Sequence, residues 1–119
     1  MTFKLFELRN MAPSLRHLAD QALPLKISYR LSKFIKKVTE ELSSIEQQRI
    51  KLVNQFGEKD EEKGITTVSP EKEPEFQKIF TDLLNENVEI DIDPIKISDI
   101  ENVKLSVADI LNLDKIFVS

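Results

Sequence analysis

The sequence contains no cysteine and no tryptophan, and it has only one histidine and two glycines among its 119 residues. Without cysteine the chain cannot form disulfides, thiolate zinc sites or a cysteine nucleophile. A single histidine argues against histidine-rich metal sites, and two isolated glycines do not build a phosphate-binding loop. We therefore predict a protein without enzymatic activity, with no catalytic residues, no metal and no cofactor.

Long apolar runs are absent as well. A membrane-spanning helix needs about 20 apolar residues, and no run in this sequence approaches that length. The N-terminus also lacks the charged and then apolar pattern of a signal peptide. We expect a soluble cytoplasmic protein with no membrane partner, folded as a single domain over residues 1–119.

Charged residues are abundant, at 32% of the chain, and unevenly distributed. Residues 1–57 carry ten basic and five acidic side chains, whereas residues 58–119 carry seven basic and sixteen acidic ones. Nucleic-acid binders are usually basic overall, so a pI near 5.1 makes nucleic acid a poor candidate partner. The asymmetry favours packing of the two halves on one another or association between copies.

The strongest pattern predicts a long helix over residues 26–56. Its apolar side chains, from Ile27 to Phe56, fall within an arc of about 100° on a helical wheel. Gly57 follows, where a glycine that ends a helix is expected. Such a helix is about 45 Å long, which exceeds the width of a small domain, so it needs a partner along its length.

Two shorter helices are predicted beside it. The first covers residues 10–22, with Pro13 tolerated only near its start. The second covers residues 70–85 and begins at a Ser-Pro start signal with acidic residues behind it. A charged turn over residues 58–64 and a short extended piece at residues 65–68 are together long enough for this second helix to return antiparallel along the long one.

The last third of the chain changes to a period of two. Val88, Ile90 and Ile92 alternate with acidic residues, which is typical of a strand with one solvent-facing side. A capping box at Ser106 then predicts a short helix. The predicted fold is α+β and predominantly helical: a long helix paired with a second helix as an antiparallel hairpin, plus a small β/helix segment over residues 87–119.

Two charged surfaces are candidate binding sites. The acidic one alternates along the predicted strand and consists of Glu89, Asp91 and Asp93. Carboxylates suit Mg²⁺ or Ca²⁺, but their spacing on a strand is too wide for one ion, so a solvated face or a partner surface is the better interpretation. The basic one follows the long helix opposite its apolar arc and consists of Lys26, Arg30, Lys33 and Lys37. It is either a solvated face or a site for a phosphorylated ligand or an acidic protein surface.

Two polar residues stand out on the helices. Arg49 falls within the apolar arc, where an unpaired guanidinium is costly. It is either an interface residue paired with an acid such as Asp82 or Glu86, or a sign that the helix leaves the core there. His17 has Asp20 within reach on the same helix, but no nucleophile pattern accompanies it, so we interpret it as a surface or interface histidine.

The order of three motifs resembles a family of small phage and prophage proteins without an assigned activity. The motifs are LP-K-S-RLSKFIKK at 23–37, EE---IE--R--LV--FGEKDEE-G at 40–64 and LLNENVEIDIDPI at 83–95. The resemblance implies a phage or prophage origin and names no site residues.

From these features we expect a non-enzymatic phage accessory protein that acts through protein–protein interaction. The long apolar arc is wider and longer than one short helix can cover, so we expect self-association, and a host or phage protein as the partner. The alternatives are a scaffold or chaperone of virion assembly, and an oligomeric binder of a small phosphorylated ligand.

Overall fold

A helix of 32 residues, α2 (Leu25–Phe56), determines the shape of the molecule, which measures 53 × 28 × 24 Å. The computed structural model describes residues 1–60, 62 and 64–119, without the side chains of residues 59 and 60. α2 begins directly after Pro24 and runs one residue longer than predicted. Its most buried side chains, Ile27, Leu31, Phe34, Val38 and Ile45, follow the helical period and face the core.

The other elements surround this helix in a fixed order. Before it lie β1 (Thr2–Lys4) and α1 (Leu5–Ala19), and after it come β2 (Gly57–Asp60), β3 (Ile65–Val68), α3 (Glu73–Leu84), β4 (Asn87–Glu89) and β5 (Ile95–Lys96). A 3₁₀ turn (Ile97–Ile100), α4 (Val107–Leu113), a second 3₁₀ turn (Asp114–Ile116) and β6 (Phe117–Val118) complete the chain. The predicted α+β class with a predominance of helix is confirmed.

The first helix differs from the prediction of residues 10–22. It begins at Leu5 and ends at Ala19, so Pro13 lies in its interior and not in its first turn. The apolar period extends back from Met11 through Leu8 to Leu5, and all three side chains are buried. Their burial outweighs the one backbone hydrogen bond that a proline removes from a helix.

Three small two-stranded sheets hold the connections in place. β1 and β4 pair antiparallel, β2 and β3 form an antiparallel hairpin, and β5 and β6 pair parallel. β2 lies in the segment predicted as a charged turn, whereas β3 coincides with the extended piece predicted at residues 65–68. The hairpin pairs Gly57 with Val68, and α3 then starts near the end of α2 and runs back along it. Phe80 of α3 accordingly lies beside Leu42 and Ile45 of α2.

The two remaining element boundaries were shifted by prolines. α3 spans Glu73–Leu84, three residues shorter at its start than the predicted 70–85, because residues 70–72 form a turn ahead of Pro74. The strand predicted from Val88 to Ile92 ends at Glu89, and strand pairing resumes at Ile95, after Pro94, which cannot donate to a sheet. α4 begins at the predicted capping box, in which the amide of Asp109 donates to the Ser106 hydroxyl at 3.1 Å.

The core lies where α1, α2 and the C-terminal segment meet under the β1–β4 sheet. The rings of Phe3 and Phe34 are 5.6 Å apart between centroids and join β1 to α2. The fully buried side chains around them come from both ends of the chain: Leu8, Leu18, Val38, Ile95, Leu113 and Ile116. The C-terminal third is therefore part of the same core and positions β4 beside α2.

Candidate functional site

The two charged surfaces predicted from the sequence lie on opposite sides of one groove. On the helix side are Lys33, Lys36 and Lys37, followed by two acids one turn further on, and on the other side are Glu89, Ile90 and Asp91. The groove has a volume of about 630 Å³, within the range of ligand-binding clefts. The sequence offered no signal for this juxtaposition, because it depends on how β4 is placed against α2.

A second, adjoining groove continues the first toward the N-terminus of α2. It has a volume of about 540 Å³, and its walls contain Tyr29, Arg30 and Lys33 on one side and Asp91 and Asp93 on the other, with Met1 and Ile92 at one end. Lys33 and Asp91 belong to both grooves. Together they form one channel, which we call the charged groove: basic on most of its α2 side and acidic on the side of residues 89–93.

The opposite charges do not neutralise each other directly. In the part of the chain that the structure describes, no ion pair joins the two sides of the charged groove. Lys37 pairs weakly with Glu40 of its own helix, at 3.8 Å, and the Lys33 ammonium lies 4.5 Å from the centre of the Tyr29 ring. A bound molecule carrying both charges can therefore satisfy side chains on both sides.

Glu89 is held at the base of its side of the groove. Its carboxylate accepts a hydrogen bond from the Thr2 hydroxyl and lies 3.4 Å from the Met1 nitrogen. These contacts, the Thr2 hydrogen bond first, lower the pKa of Glu89 below its usual range. Asp91 and Asp93 lie beyond the end of β4, so the three carboxylates do not occupy one face of a regular strand as predicted.

The basic stripe of Lys26, Arg30, Lys33 and Lys37 is exposed along α2, as its helical spacing requires. Arg30, Lys33 and Lys37 line the charged groove, whereas Lys26 does not. Lys36 also lines the charged groove, although it was not predicted to belong to the basic stripe. Among the described residues, no group of acids or histidines is arranged to hold a metal ion.

Arg49 does not form the predicted pair with Asp82 or Glu86. Its guanidinium donates two hydrogen bonds to Glu46 of the same helix, at 3.0 and 2.6 Å, and its side chain is 41% exposed. The pKa of Glu46 is lowered, mainly by this hydrogen bond. The guanidinium reaches solvent from a partly apolar surface and is not a buried charge.

A polar cluster that was not predicted from the sequence joins α1 to α4. The Ser14 hydroxyl donates to Asp109 at 2.8 Å, and Nδ1 of His17 lies 3.0 Å from both oxygens of the same carboxylate. His17 therefore pairs with Asp109 and not with Asp20. The side-chain amide of Asn112 donates a hydrogen bond to the Ser14 hydroxyl at 3.2 Å. Ser14 on the apolar face of α1 was the available signal, because a buried hydroxyl needs a partner.

This cluster resembles a serine hydrolase site only in its residue types. In a hydrolase the histidine contacts the serine and removes its proton, whereas here the carboxylate lies between the two. Ser14 is 1% exposed and has no path to a substrate. The Ser14 hydrogen bond first, and the His17 contact next, lower the pKa of Asp109.

Comparison with known proteins adds no relatives. No protein-family model, no curated protein and no solved structure matches this chain. The function of this protein is therefore inferred from the geometry of the protein's own surfaces. No helix in the described ranges combines the length and the apolar character needed to cross a membrane.

A third surface feature is apolar and lies between α1 and α2. Ala12, Leu15 and Ala19 of α1 face Ile35 and Leu42 of α2 across a cavity of about 330 Å³. A smaller cavity at Leu23 and Leu31 continues it toward the start of α2. We call this feature the apolar groove. It contains the part of the long helix's apolar arc that neither α1 nor α3 covers.

Proposed function

We propose that this protein is a non-enzymatic accessory that acts by binding another protein in the charged groove. One observation carries the proposal: a basic row on α2 and an acidic row at residues 89–93 face each other without pairing. Charged rows in this arrangement determine the orientation of a partner and suppress binding of the wrong partners.

The absence of catalysis is part of the same proposal. Ser14, His17 and Asp109 hold α1 against α4, and their hydrogen bonds are already used for that purpose. The carboxylates of the charged groove lie on an open surface, and the hydroxyl beside Glu89, that of Thr2, is in the neighbouring strand and bonded to that carboxylate. Both points favour a binding role over acid–base or nucleophilic chemistry.

Self-association through the apolar groove is the second component. Ile35 and Leu42 are only partly buried, although they lie in the middle of a 32-residue helix. A symmetric dimer buries the same patch on both copies. The charged groove opens on a different side of α2, lined by Lys33 and Lys37, so dimerisation leaves it free.

From the motif resemblance we further propose that the protein belongs to a phage or prophage and works in the cytoplasm of an infected or lysogenic host. In that setting the partner is a host protein that it inhibits or redirects, or a phage protein. A scaffold or chaperone of virion assembly is the alternative in which self-association is itself the function. A phosphorylated small ligand is less favoured, because Asp91 and Asp93 line the same groove as Arg30 and Lys33 and repel a phosphate.

Affinity capture with charge-reversed variants tests the binding proposal. The wild-type protein, a groove variant (Lys33→Glu with Lys37→Glu) and a control (Lys51→Glu with Lys78→Glu) are immobilised and exposed to one cell extract. The control carries the same charge change at exposed lysines that do not line the charged groove. We expect one set of proteins to be retained by the wild type and the control and lost from the groove variant. Equal retention by all three contradicts the proposal.

A further inference from the structure

The outer edge of β4 is an unpaired strand edge. Antiparallel strands direct the N–H and C=O groups of alternate residues toward their partner. Toward β1, the Leu5 amide donates to the Glu86 carbonyl at 3.1 Å, and Met1 and Ile90 exchange two hydrogen bonds at 3.0 and 3.2 Å. The alternate residues between them, Asn87 and Glu89, therefore direct their backbone groups away from β1.

The two outer edges of this small sheet differ. On β1, the Lys4 amide donates to the Glu7 carboxylate at 3.0 Å, and the Thr2 carbonyl accepts a hydrogen bond from the Lys115 ammonium at 3.2 Å. On β4, no hydrogen bond joins the outer backbone groups to any other described residue. Unpaired strand edges of this kind are templates for pairing with another chain.

The charged groove lies directly beside this edge. The 630 Å³ part of it is lined by Glu89, Ile90 and Asp91 and by α2, and no β1 residue takes part. It therefore opens on the outer side of β4, where a third strand would lie. Neighbouring strands are about 4.8 Å apart, so an added strand runs between β4 and the lysines of α2.

We propose that an extended segment of a partner protein adds to β4 as a third strand, and that its side chains alternate between basic and acidic. The basic ones stand beside Glu89 and Asp91, on the side of the sheet that faces solvent. The acidic ones point to the α2 side, which is marked by the contact of Phe3 with Phe34, and meet Lys33 and Lys37. Opposite charges on neighbouring strands attract, and like charges repel.

The same charges disfavour a second copy of this chain as the added strand. Pairing of β4 with β4 of another copy brings Glu89 and Asp91 of both copies onto one face, where the carboxylates repel each other. The occupant is therefore a different chain. This inference rests on the proposed function and specifies how the partner is recognised: by backbone pairing for affinity and by alternating charge for specificity.

A synthetic peptide tests the inference directly. The probe is a nine-residue peptide of alternating lysine and glutamate, blocked at both ends, and its affinity is measured by calorimetry. One derivative is N-methylated at the backbone of the lysines, another at that of the glutamates, and a third has the same composition in two blocks.

We expect the parent peptide to bind, the block peptide to bind at least tenfold more weakly, and one of the two methylated peptides to lose binding. N-methylation at alternate residues removes the N–H donors from one edge of the peptide strand and leaves those of the other edge. Parallel and antiparallel pairing with β4 use different edges of the peptide, so the derivative that loses binding also reveals the direction of the added strand. Absence of parent binding, or equal binding of both methylated peptides, overturns the inference.

Variants of this protein separate the inference from the proposed function. Glu89→Pro removes an outward N–H without removing a hydrogen bond to β1, and Glu89→Ala removes the same charge but keeps the N–H. Provided that circular dichroism shows both variants folded, we expect at least a tenfold weaker peptide affinity for the proline variant and at most a threefold loss for the alanine variant. If Glu89→Pro still captures the cellular partner that Lys33→Glu with Lys37→Glu loses, the strand-addition inference fails and the proposed function stands. If neither variant loses the partner, the proposed function fails as well.

Discussion

Ser14 and Asp109 connect the first helix to the last one across more than ninety residues of sequence. Both side chains are nearly inaccessible, at 1% and 7% exposure. A buried hydrogen bond of this kind contributes most through the cost of leaving one partner unsatisfied. At the scale of single residues, this bond helps to hold α4 of the C-terminal segment against α1.

Replacing Ser14 by alanine leaves the Asp109 carboxylate without its main donor. We expect Ser14→Ala to lower the free energy of unfolding by about 1–3 kcal/mol, measured by urea denaturation. Ser44→Ala is the matched control, because its hydroxyl donates to the Glu40 carbonyl on an exposed face. Its effect should stay within about 0.5 kcal/mol. Equal effects of the two substitutions would show that the buried cluster does not stabilise the fold.

Lowering the pH should reduce the stabilisation that the cluster of Ser14, His17 and Asp109 contributes to the fold. The pKa of Asp109 is lowered in the folded state, by the Ser14 hydrogen bond first and by His17 next. A lowered folded pKa stabilises the protein above the ordinary aspartate value of about 3.9, and this contribution is lost as the pH falls through the folded value. We therefore expect Asp109→Asn to be less stable than the wild type at pH 7, with a gap that narrows below about pH 4. A gap independent of pH between 7 and 2 would contradict this assignment.

At the scale of elements, the turn from α2 into the β2–β3 hairpin depends on Gly57. A side chain there would place its Cβ 2.3 Å from the Val53 carbonyl oxygen and 3.0 Å from that of Thr67. The backbone at Gly57 is extended, with φ −92°, so close approach and not a left-handed conformation requires glycine. Gly64 is the opposite case: its φ is +64°, and no atom of the described, non-adjacent residues lies within 4 Å of the position that a Cβ would take.

Substituting asparagine at Gly57 and at Gly64 separates the effect of close packing from that of a left-handed backbone. Gly64→Asn should be nearly neutral, because asparagine tolerates the left-handed region better than most residues. Gly57→Asn should cost about 1–3 kcal/mol of unfolding free energy, because the Cβ has no room beside two backbone carbonyls. Chemical denaturation of both variants measures the difference. A Gly57→Asn protein as stable as the Gly64→Asn protein would refute the close-packed turn.

The elements also show what the sequence could and could not predict. Periodicity located α2 to within one residue, since its apolar arc is long and regular. It placed the start of α1 five residues too late, because Pro13 was given more weight than the buried Leu5 and Leu8. For Arg49 the sequence left two interpretations open, a pair with an acid of another element and a side chain that reaches solvent, and the structure agrees with the second. The charged groove and the pairing of His17 with Asp109 were not predictable, since both arise from contacts between distant parts of the chain.

At the scale of the whole molecule, α2 spans nearly the full 53 Å length and leaves the apolar groove open on one side. We expect a dimer or a larger species in light scattering, unchanged between low and high salt because apolar burial does not depend on screening. Ile35→Glu places a charge in the apolar groove and should yield a monomer. Ile97→Glu, on an exposed side chain of the C-terminal segment, should not. A monomeric wild type would refute self-association.

Cross-linking in cell extract tests the central claim, that a partner binds in the charged groove, most directly. A zero-length reagent that joins carboxylates to amines reports only side chains already in contact, and mass spectrometry locates them. The account predicts links to one other protein from Lys33, Lys36 or Lys37 together with links from Asp91. Links to another protein only from residues outside the groove, such as Lys51 and Lys78, would contradict it.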